Sequence, residues 1–254
     1  MKQVPDTTAR KELGADFTLD RASVESVVNP FDEYAIEAAL QLKERDGGEV
    51  IILTMGPTSA EDTVRKTLAM GADRAVLVTD PALHGTDWLG TCTVLAAALR
   101  TLQFDLVLTG TESTDARMGL VPAGLAEMLD APLVTLVRDI ATSGSGVTAT
   151  RQISGGSEEV EATVPAVMSV VKGANEPRYP SLKGIMAAKR KEIAMLSLAD
   201  LGIDAGEVGL GGARTSVTAA TARADRQAGQ VVKPDSPEAA ATTIADFLQQ
   251  HKFI

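Results

Sequence analysis

Histidine, cysteine and aromatic side chains are nearly missing from this chain of 254 residues. The one cysteine, Cys92, excludes an intramolecular disulfide and any metal site built from a cysteine cluster. It lies in the apolar helical pattern "WLGTCTVLAAAL", where a free thiol behaves as a small core side chain. The two histidines, His84 and His251, have no catalytic companion nearby and read as surface residues, so histidine-based catalysis is not expected, and no metal site is. Aromatics make up only 3%, so the core must be built from Ala, Val, Leu and Ile, which suits buried parallel strands. No apolar run is long enough to cross a bilayer and no signal peptide is evident, so the expected protein is cytoplasmic and not membrane-embedded. A formal net charge of −10 opposes binding to nucleic-acid phosphates.

What is present is an alternation of strand and helix signals. "EVIILT" (49–54), "RAVLV" (74–78), "DLVLTG" (105–110) and "LVTLV" (133–137) are short aliphatic runs bounded by turn residues. Between them, Ser59 is placed to cap a helix that runs to about Met70 and is closed by Gly71. An amphipathic pattern predicts a second helix over about 87–102, and a third ends near Leu129. Strands alternating with helices imply right-handed crossovers and an α/β fold with a doubly wound, mostly parallel sheet. Near residue 143 the pattern changes: "SGSGVTATRQISGGSEEVEATVPAVMSVV" holds two turn clusters between β-rich runs and predicts a β-hairpin insertion. After Leu201 large apolar residues become rare. The expected organisation is therefore an α/β nucleotide-binding domain over 1–200 and an extended C-terminal arm over 201–254. That arm ends in a helix with Ser236 as its cap and Pro237 at its first position, expected to pack on a partner subunit. "MKQVPDT" leads into a loop where such a domain normally opens with a strand. Either the sheet lacks that strand or the chain begins inside a longer natural sequence, and the second is preferred.

Ligands of open α/β sheets bind beyond the carboxyl ends of strands, near helix N-termini. Three stretches fit that position. In "VVNPFDEYAIEAALQLKER", Asn29 can cap a helix, Pro30 suits its first turn, and Asp32 and Glu33 complement its dipole. Two carboxylates there would repel a phosphate, so a ligand at this terminus would present a base or ribose. In "ILTMGP", Met55 and Gly56 end a strand where the backbone can be approached closely. In "GTESTDARMGLVP", small and hydroxylated residues from Gly110 to Val121 follow a strand and open a helix, and their N–H groups with Arg117 could hold a monophosphate. This run matches neither a dinucleotide fingerprint nor a Walker loop, and without a P-loop lysine it does not predict phosphoryl transfer.

A further stretch, "NEPRYPSLKGIMAAKRK" (175–191), resembles neither a strand nor a core helix. Together with "KQVPDT", "NPFDEYAIEAAL", "TMGP", "TLAMGADRAV" and "DLVLTG" it occurs in the order and spacing of one family. The chain resembles the β subunit of electron transfer flavoprotein over nearly its whole length.

The resemblance implies a Rossmann-like fold of the adenine-nucleotide-binding type in a heterodimer with an α subunit. It implies FAD held mostly by the α subunit's mobile domain and a structural AMP in this subunit, neither reduced nor hydrolysed. By matching positions, the AMP contacts would be Asn29, Pro30, Phe31 and Asp32, then Met55. The rest would be Gly110, Thr111, Glu112, Ser113, Thr114, Asp115, Ala116, Arg117, Met118, Gly119, Leu120 and Val121. The segment at 175–191 would be the dock for acyl-CoA dehydrogenases and related flavin dehydrogenases, with Leu182 as its anchor beside Tyr179, Pro180, Ile185 and Met186. Electrons would pass on to a quinone oxidoreductase or another acceptor, and the chain would not be an enzyme by itself. Two departures stand out. The family's first strand falls before Met1, and Gln152 stands where many relatives carry a glutamate thought to steady the flavin domain. Glutamine can hydrogen-bond there but cannot form the ion pair. Two other readings remain open: a bifurcating electron transfer flavoprotein with a second FAD in place of AMP, and a stand-alone adenine-nucleotide-binding sensor or hydrolase.

Overall fold

The chain opens with a short antiparallel pair, β1 (Gln3–Pro5) and β2 (Ser26–Val28), which leads into helix α1 (Pro30–Asp46). Strand and helix then alternate through β3 (Ile51–Met55), α2 (Ala60–Met70), β4 (Arg74–Val78), α3 (Trp88–Arg100), β5 (Leu106–Gly110) and α4 (Val121–Leu129). Four strands follow: β6 (Leu133–Ser143), β7 (Gly146–Ile153), β8 (Gly156–Thr163) and β9 (Ala166–Val170). After them come α5 (Leu182–Ala188), β10 (Ile193–Leu196), the single turn α6 (Gly209–Gly212) and α7 (Pro237–Gln250). This is a computed structural model, and it describes residues 1–144, 146–221, 229 and 231–254.

The result is a mixed α/β fold with parallel sheets. β10, β4 and β3 form one parallel sheet; β5, β9 and β6 are parallel neighbours in a second, which β7 and β8 extend antiparallel. The parallel strands thus fall into two sheets, not the single sheet that the alternation suggests, and β3 and β5 are edge strands. The Met1 ammonium donates to the carbonyl of Leu53 in β3 at 2.8 Å. Residues 3–5 form a strand where a loop is expected, because Val4 is fully buried and three residues are too few to show a period in the sequence.

Apolar spacing explains the packing. Ile36 and Leu40 of α1 lie one turn apart and meet Val64 and Leu68 of α2 in a cluster that includes Ile52 and Ala75. Ala96 and Leu99 of α3 and Leu125 of α4 pack on Val167. β9 is buried at every position, as expected of a strand covered on both faces. One compact unit spans Met1–Thr218 and the other Ala219–Ile254, so the boundary falls later than the expected Leu201. Leu198 and Val208 are the reason: they are buried in the cluster that holds Val78 and Val94. Within the second unit, Ser236 caps α7 by accepting the Ala239 N–H at 3.2 Å, with Pro237 in its first turn.

Leu77, in the central strand of its three-stranded sheet, is fully buried. Leu77→Ala should destabilise the fold by about 2–5 kcal/mol, seen as a lower urea midpoint at unchanged m-value.

Candidate functional site

Asn29 precedes α1 but makes no side-chain cap. It is 1% exposed, and its carboxamide is turned to the loop after β5. Asn29 Nδ2 donates to the Glu112 carbonyl at 2.8 Å, and Asn29 Oδ1 accepts the Thr114 N–H at 3.1 Å. Asp32, in the first turn, is buried too: Oδ1 accepts the Gly110 N–H at 2.9 Å and Oδ2 the Lys2 N–H at 2.6 Å. Gly110 is required by this seating, since a Cβ there would lie 2.7 Å from Asp32 Oδ1 and from the Phe31 carbonyl carbon. The first and third stretches singled out in the sequence are therefore brought together. Ser59, read as the cap of α2, makes no capping bond either.

The loop that α1 holds carries its own ion-pair centre. The Asp115 side chain is 1% exposed and is flanked by Lys2 Nζ at 2.9 Å and Arg21 Nη2 at 2.5 Å. Burial alone would raise its pKa, but the Lys2 ammonium, the Ser113 hydroxyl and Arg21 together hold the carboxyl well below the usual range. The same burial pushes the Lys2 amine down. Arg117, mostly exposed and at φ 51°, pairs with Glu112 at 3.1 Å, and Lys11 Nζ reaches the Thr114 carbonyl at 3.5 Å. Beyond it, Met118, Gly119 and Leu120 lead into α4, and their N–H groups meet no acceptor among the described residues. Met55 ends β3 half-buried beside Val78 and Leu196. Two hydroxyls, Thr54 Oγ1 and Thr114 Oγ1, are buried with no hydrogen-bond partner among the described residues.

Lys2, Lys11 and Arg21 escape a reading of the sequence. They are scattered through a loop-rich opening, and nothing local signals that they converge on residues 113–115.

The stretch at 175–191 folds into a mount. Ser181 caps α5 by accepting the Gly184 N–H at 3.0 Å. Gly184 lies so close to α2 that a Cβ would sit 2.3 Å from the Ala69 carbonyl oxygen. Arg65 of α2 donates to the carbonyls of Ala188 and Lys191 at 2.9 and 2.6 Å, and Lys191 donates to those of Leu68 and Ala72 at 3.0 and 2.5 Å. Each helix thus has its terminal carbonyls held by a cation from the other segment. Lys191, three residues beyond the end of α5, thus serves the end of α2 and not that of its own helix. Leu182 is 76% exposed and Tyr179 94%, with Ile185 and Met186 exposed beside them and Pro180 half-buried. Gln152 is exposed on β7, opposite Ser157 of the hairpin.

Fold and site together define an α/β protein with a stapled, small-residue loop at the carboxyl end of a parallel strand and a separately mounted apolar tip. The electron transfer flavoprotein domain matches residues 16–201. The chain is 42% identical to electron transfer flavoprotein subunit beta of Mycobacterium tuberculosis over 261 residues, covering 100% of this chain and 97% of that protein. It is 37% identical to the subunit of the same name from Thermoanaerobacterium thermosaccharolyticum, over 99% of this chain and 97% of that one. Against that from Megasphaera elsdenii the identity is 38%, over 100% and 98%. The chain belongs to the electron transfer flavoprotein family, among its β subunits.

Because the folded Asp115 pKa is depressed, its stabilisation is fully present above the ordinary value of 3.8 and is lost as pH falls through the lower folded value. Asp115→Asn should lower the melting temperature at pH 7 by roughly 4–8 °C, equivalent to about 2 kcal/mol. Calorimetry over a pH series should find the gap between variant and wild type closing below about pH 4.

Proposed function

We propose that this subunit forms a heterodimer with an electron transfer flavoprotein α subunit and carries electrons from acyl-CoA and related flavin dehydrogenases to a quinone oxidoreductase or other acceptor. Family membership over the whole chain supports this reading. The observation that carries it is the pairing, in one chain, of the stapled loop at 110–121, held by Asn29 and Asp32, with a separately mounted, exposed Leu182.

An AMP suits the loop. The N–H groups of Met118, Gly119 and Leu120 and the Arg117 guanidinium are the donors for its phosphate. Asp115 does not repel that phosphate, because Lys2 and Arg21 neutralise it. The uncharged base and ribose lie toward Pro30 and Phe31, and the unpartnered hydroxyls of Thr54 and Thr114 are ready for polar groups. Met55 offers an apolar surface at the end of β3. The loop's one hydroxyl–carboxylate contact among the described residues, Ser113 with Asp115, is a poor nucleophile–base pair. Lys2 and Arg21 hold the carboxylate as a weak base, so the nucleotide is held and not turned over.

FAD supplies the redox chemistry when bound and belongs chiefly to the α subunit. This chain's share is to seat the partner subunit and to present the docking tip, with Gln152 meeting the flavin domain by a hydrogen bond. It is an electron-carrier subunit and not an enzyme, and it works in the cytoplasm. α7 and its neighbours, with Ile244 and Phe247 exposed, form the arm that packs on the α subunit.

Co-expression with the α subunit and cofactor extraction test the nucleotide. One AMP and one FAD per heterodimer are expected; two FAD would replace this reading with the bifurcating one. A stable, ATP-hydrolysing monomer would favour a nucleotide sensor or hydrolase instead. Leu182→Ala should slow reduction by an acyl-CoA dehydrogenase roughly tenfold or more, the equivalent of about 1.5–3 kcal/mol for one buried leucine. AMP and FAD content should be unchanged, and equal rates for variant and wild type would remove the anchor assignment.

A further inference from the structure

The second leg of the docking mount rests on α1. Arg178 Nε donates to Glu37 Oε2 at 2.8 Å, and its Nη2 donates to Glu37 Oε1 at 2.9 Å. The same guanidinium reaches Glu44 through Nη1 and, at 3.0 Å, through Nη2. The Arg178 N–H adds a bond to Glu37 Oε2 at 3.2 Å. Three residues upstream, Asn175 Nδ2 donates to the carbonyl of Tyr34 at 2.9 Å. Glu37 and Glu44 stand seven positions apart, about two helical turns, so both lie on one face of α1 and a single guanidinium spans them. The Glu37 side chain is only 4% exposed and its other neighbour is Gln41, at 3.0 Å; without Arg178 it is a buried carboxylate with no cation.

Two features separate this clamp from ordinary surface pairing. It is bidentate toward both carboxylates, and it acts on backbone that is otherwise short of partners. Between Glu176 and Pro180 the Arg178 N–H is the only backbone N–H with an acceptor among the described residues, and two of these positions are prolines with no N–H to give. The clamp sits one residue before Tyr179 and four before Leu182, while the far end of the segment is tied to α2 through Arg65 and Lys191.

Resting on the docking role assigned to Leu182, we infer that Arg178 is a positioning residue for partner binding. By bridging Glu37 and Glu44 it holds residues 175–181 in the one conformation that presents Tyr179 and Leu182 to an apolar pocket of the dehydrogenase. Arg178 need not touch the partner. It removes the cost of ordering the segment at each encounter, and it therefore acts on association and not on electron transfer within the complex.

The test uses the αβ heterodimer as substrate of an acyl-CoA dehydrogenase. Arg178→Ala should raise KM for the flavoprotein about tenfold with kcat within twofold. Arg178→Lys, which cannot fork, should recover only part of that loss. Glu44→Ala removes an exposed partner and guards against a folding defect; it should raise KM in the same direction by a smaller factor. In the Arg178→Ala, Glu44→Ala double variant KM should be no worse than in Arg178→Ala alone. Hydrogen exchange should quicken in residues 175–186 and stay unchanged in β9. If Leu182→Ala raises KM while Arg178→Ala and Glu44→Ala do not, the positioning role is wrong and the docking surface stands. If Leu182→Ala has no effect, the docking role fails and this inference falls with it. A fall in kcat at constant KM would also overturn it, since that would place Arg178 in the transfer step.

Discussion

Two buried carboxylates on α1, Asp32 and Glu37, constrain everything around them. A carboxylate withdrawn from water costs several kcal/mol unless charge or hydrogen bonds replace the lost hydration. The five-residue step between them turns about 140° around the helix, so the two point to different sides. Asp32 draws the N–H groups of Gly110 and Lys2, fixing the loop after β5 and the start of the chain. Glu37 draws Arg178, fixing the segment that carries the apolar tip. One helix therefore places both candidate functional surfaces, and a chain with net charge −10 uses two of its acids as internal fasteners.

The same pattern of charge recurs at smaller scale. Asp115 is enclosed by Lys2 and Arg21, which join it from more than ninety positions away in sequence. Here burial and attraction oppose each other, and attraction wins because two cations and the Ser113 hydroxyl converge on one carboxylate. Glu37 shows the same balance: burial favours its neutral form, and Arg178 holds it below its usual pKa. Exposed pairs such as Arg10 with Glu12, held in water on both sides, do little of this kind. The consequence is local: the loop at 110–121 can face an anion although the surface as a whole repels anions.

Much of the architecture was legible because aliphatic runs leave few alternatives. "IILTM" and "RAVLV" are too short and too apolar to be anything but covered strands, and they pair in parallel register. The split into two sheets was not legible, since strand signals carry no information on which strands become neighbours. For the candidate site, the sequence singled out two segments that the fold brings together, but the local jobs it suggested for their side chains differ from those they do. Asn29 and Asp32 have the side chains of a helix start, and those same side chains also make good long-range staples; only the fold decides between the uses. Lys191 is ambiguous for the same reason: a cation just after a short helix could serve that helix, and in the fold it serves the end of another. The boundary of the compact unit falls later than expected because residues 201–218 are rich in Gly with large apolar residues only scattered among them, and a few buried side chains such as Val208 suffice to hold such a stretch.

The docking role proposed for Leu182 needs a contact that forms quickly and does not persist. One leucine side chain contributes about 1.5–3 kcal/mol when buried, too little to sustain a complex and enough to register one. Such a small gain survives only if little is lost in ordering the loop that bears it. The fold meets that condition from two directions at once. Arg178 fastens the near end to α1, and the exchange of carbonyl caps between Arg65 and Lys191 fastens the far end to α2. Gly184 then lets α5 lie against α2 without the gap that any side chain would impose. Helix, glycine and guanidinium act on the backbone of the segment, and none of them takes up the apolar surface that Tyr179, Leu182 and Met186 leave exposed. Rigidity and exposure are usually opposed in a surface loop, because the contacts that order a chain also cover it. Here the ordering contacts come from one side, through polar groups, and the apolar side remains open.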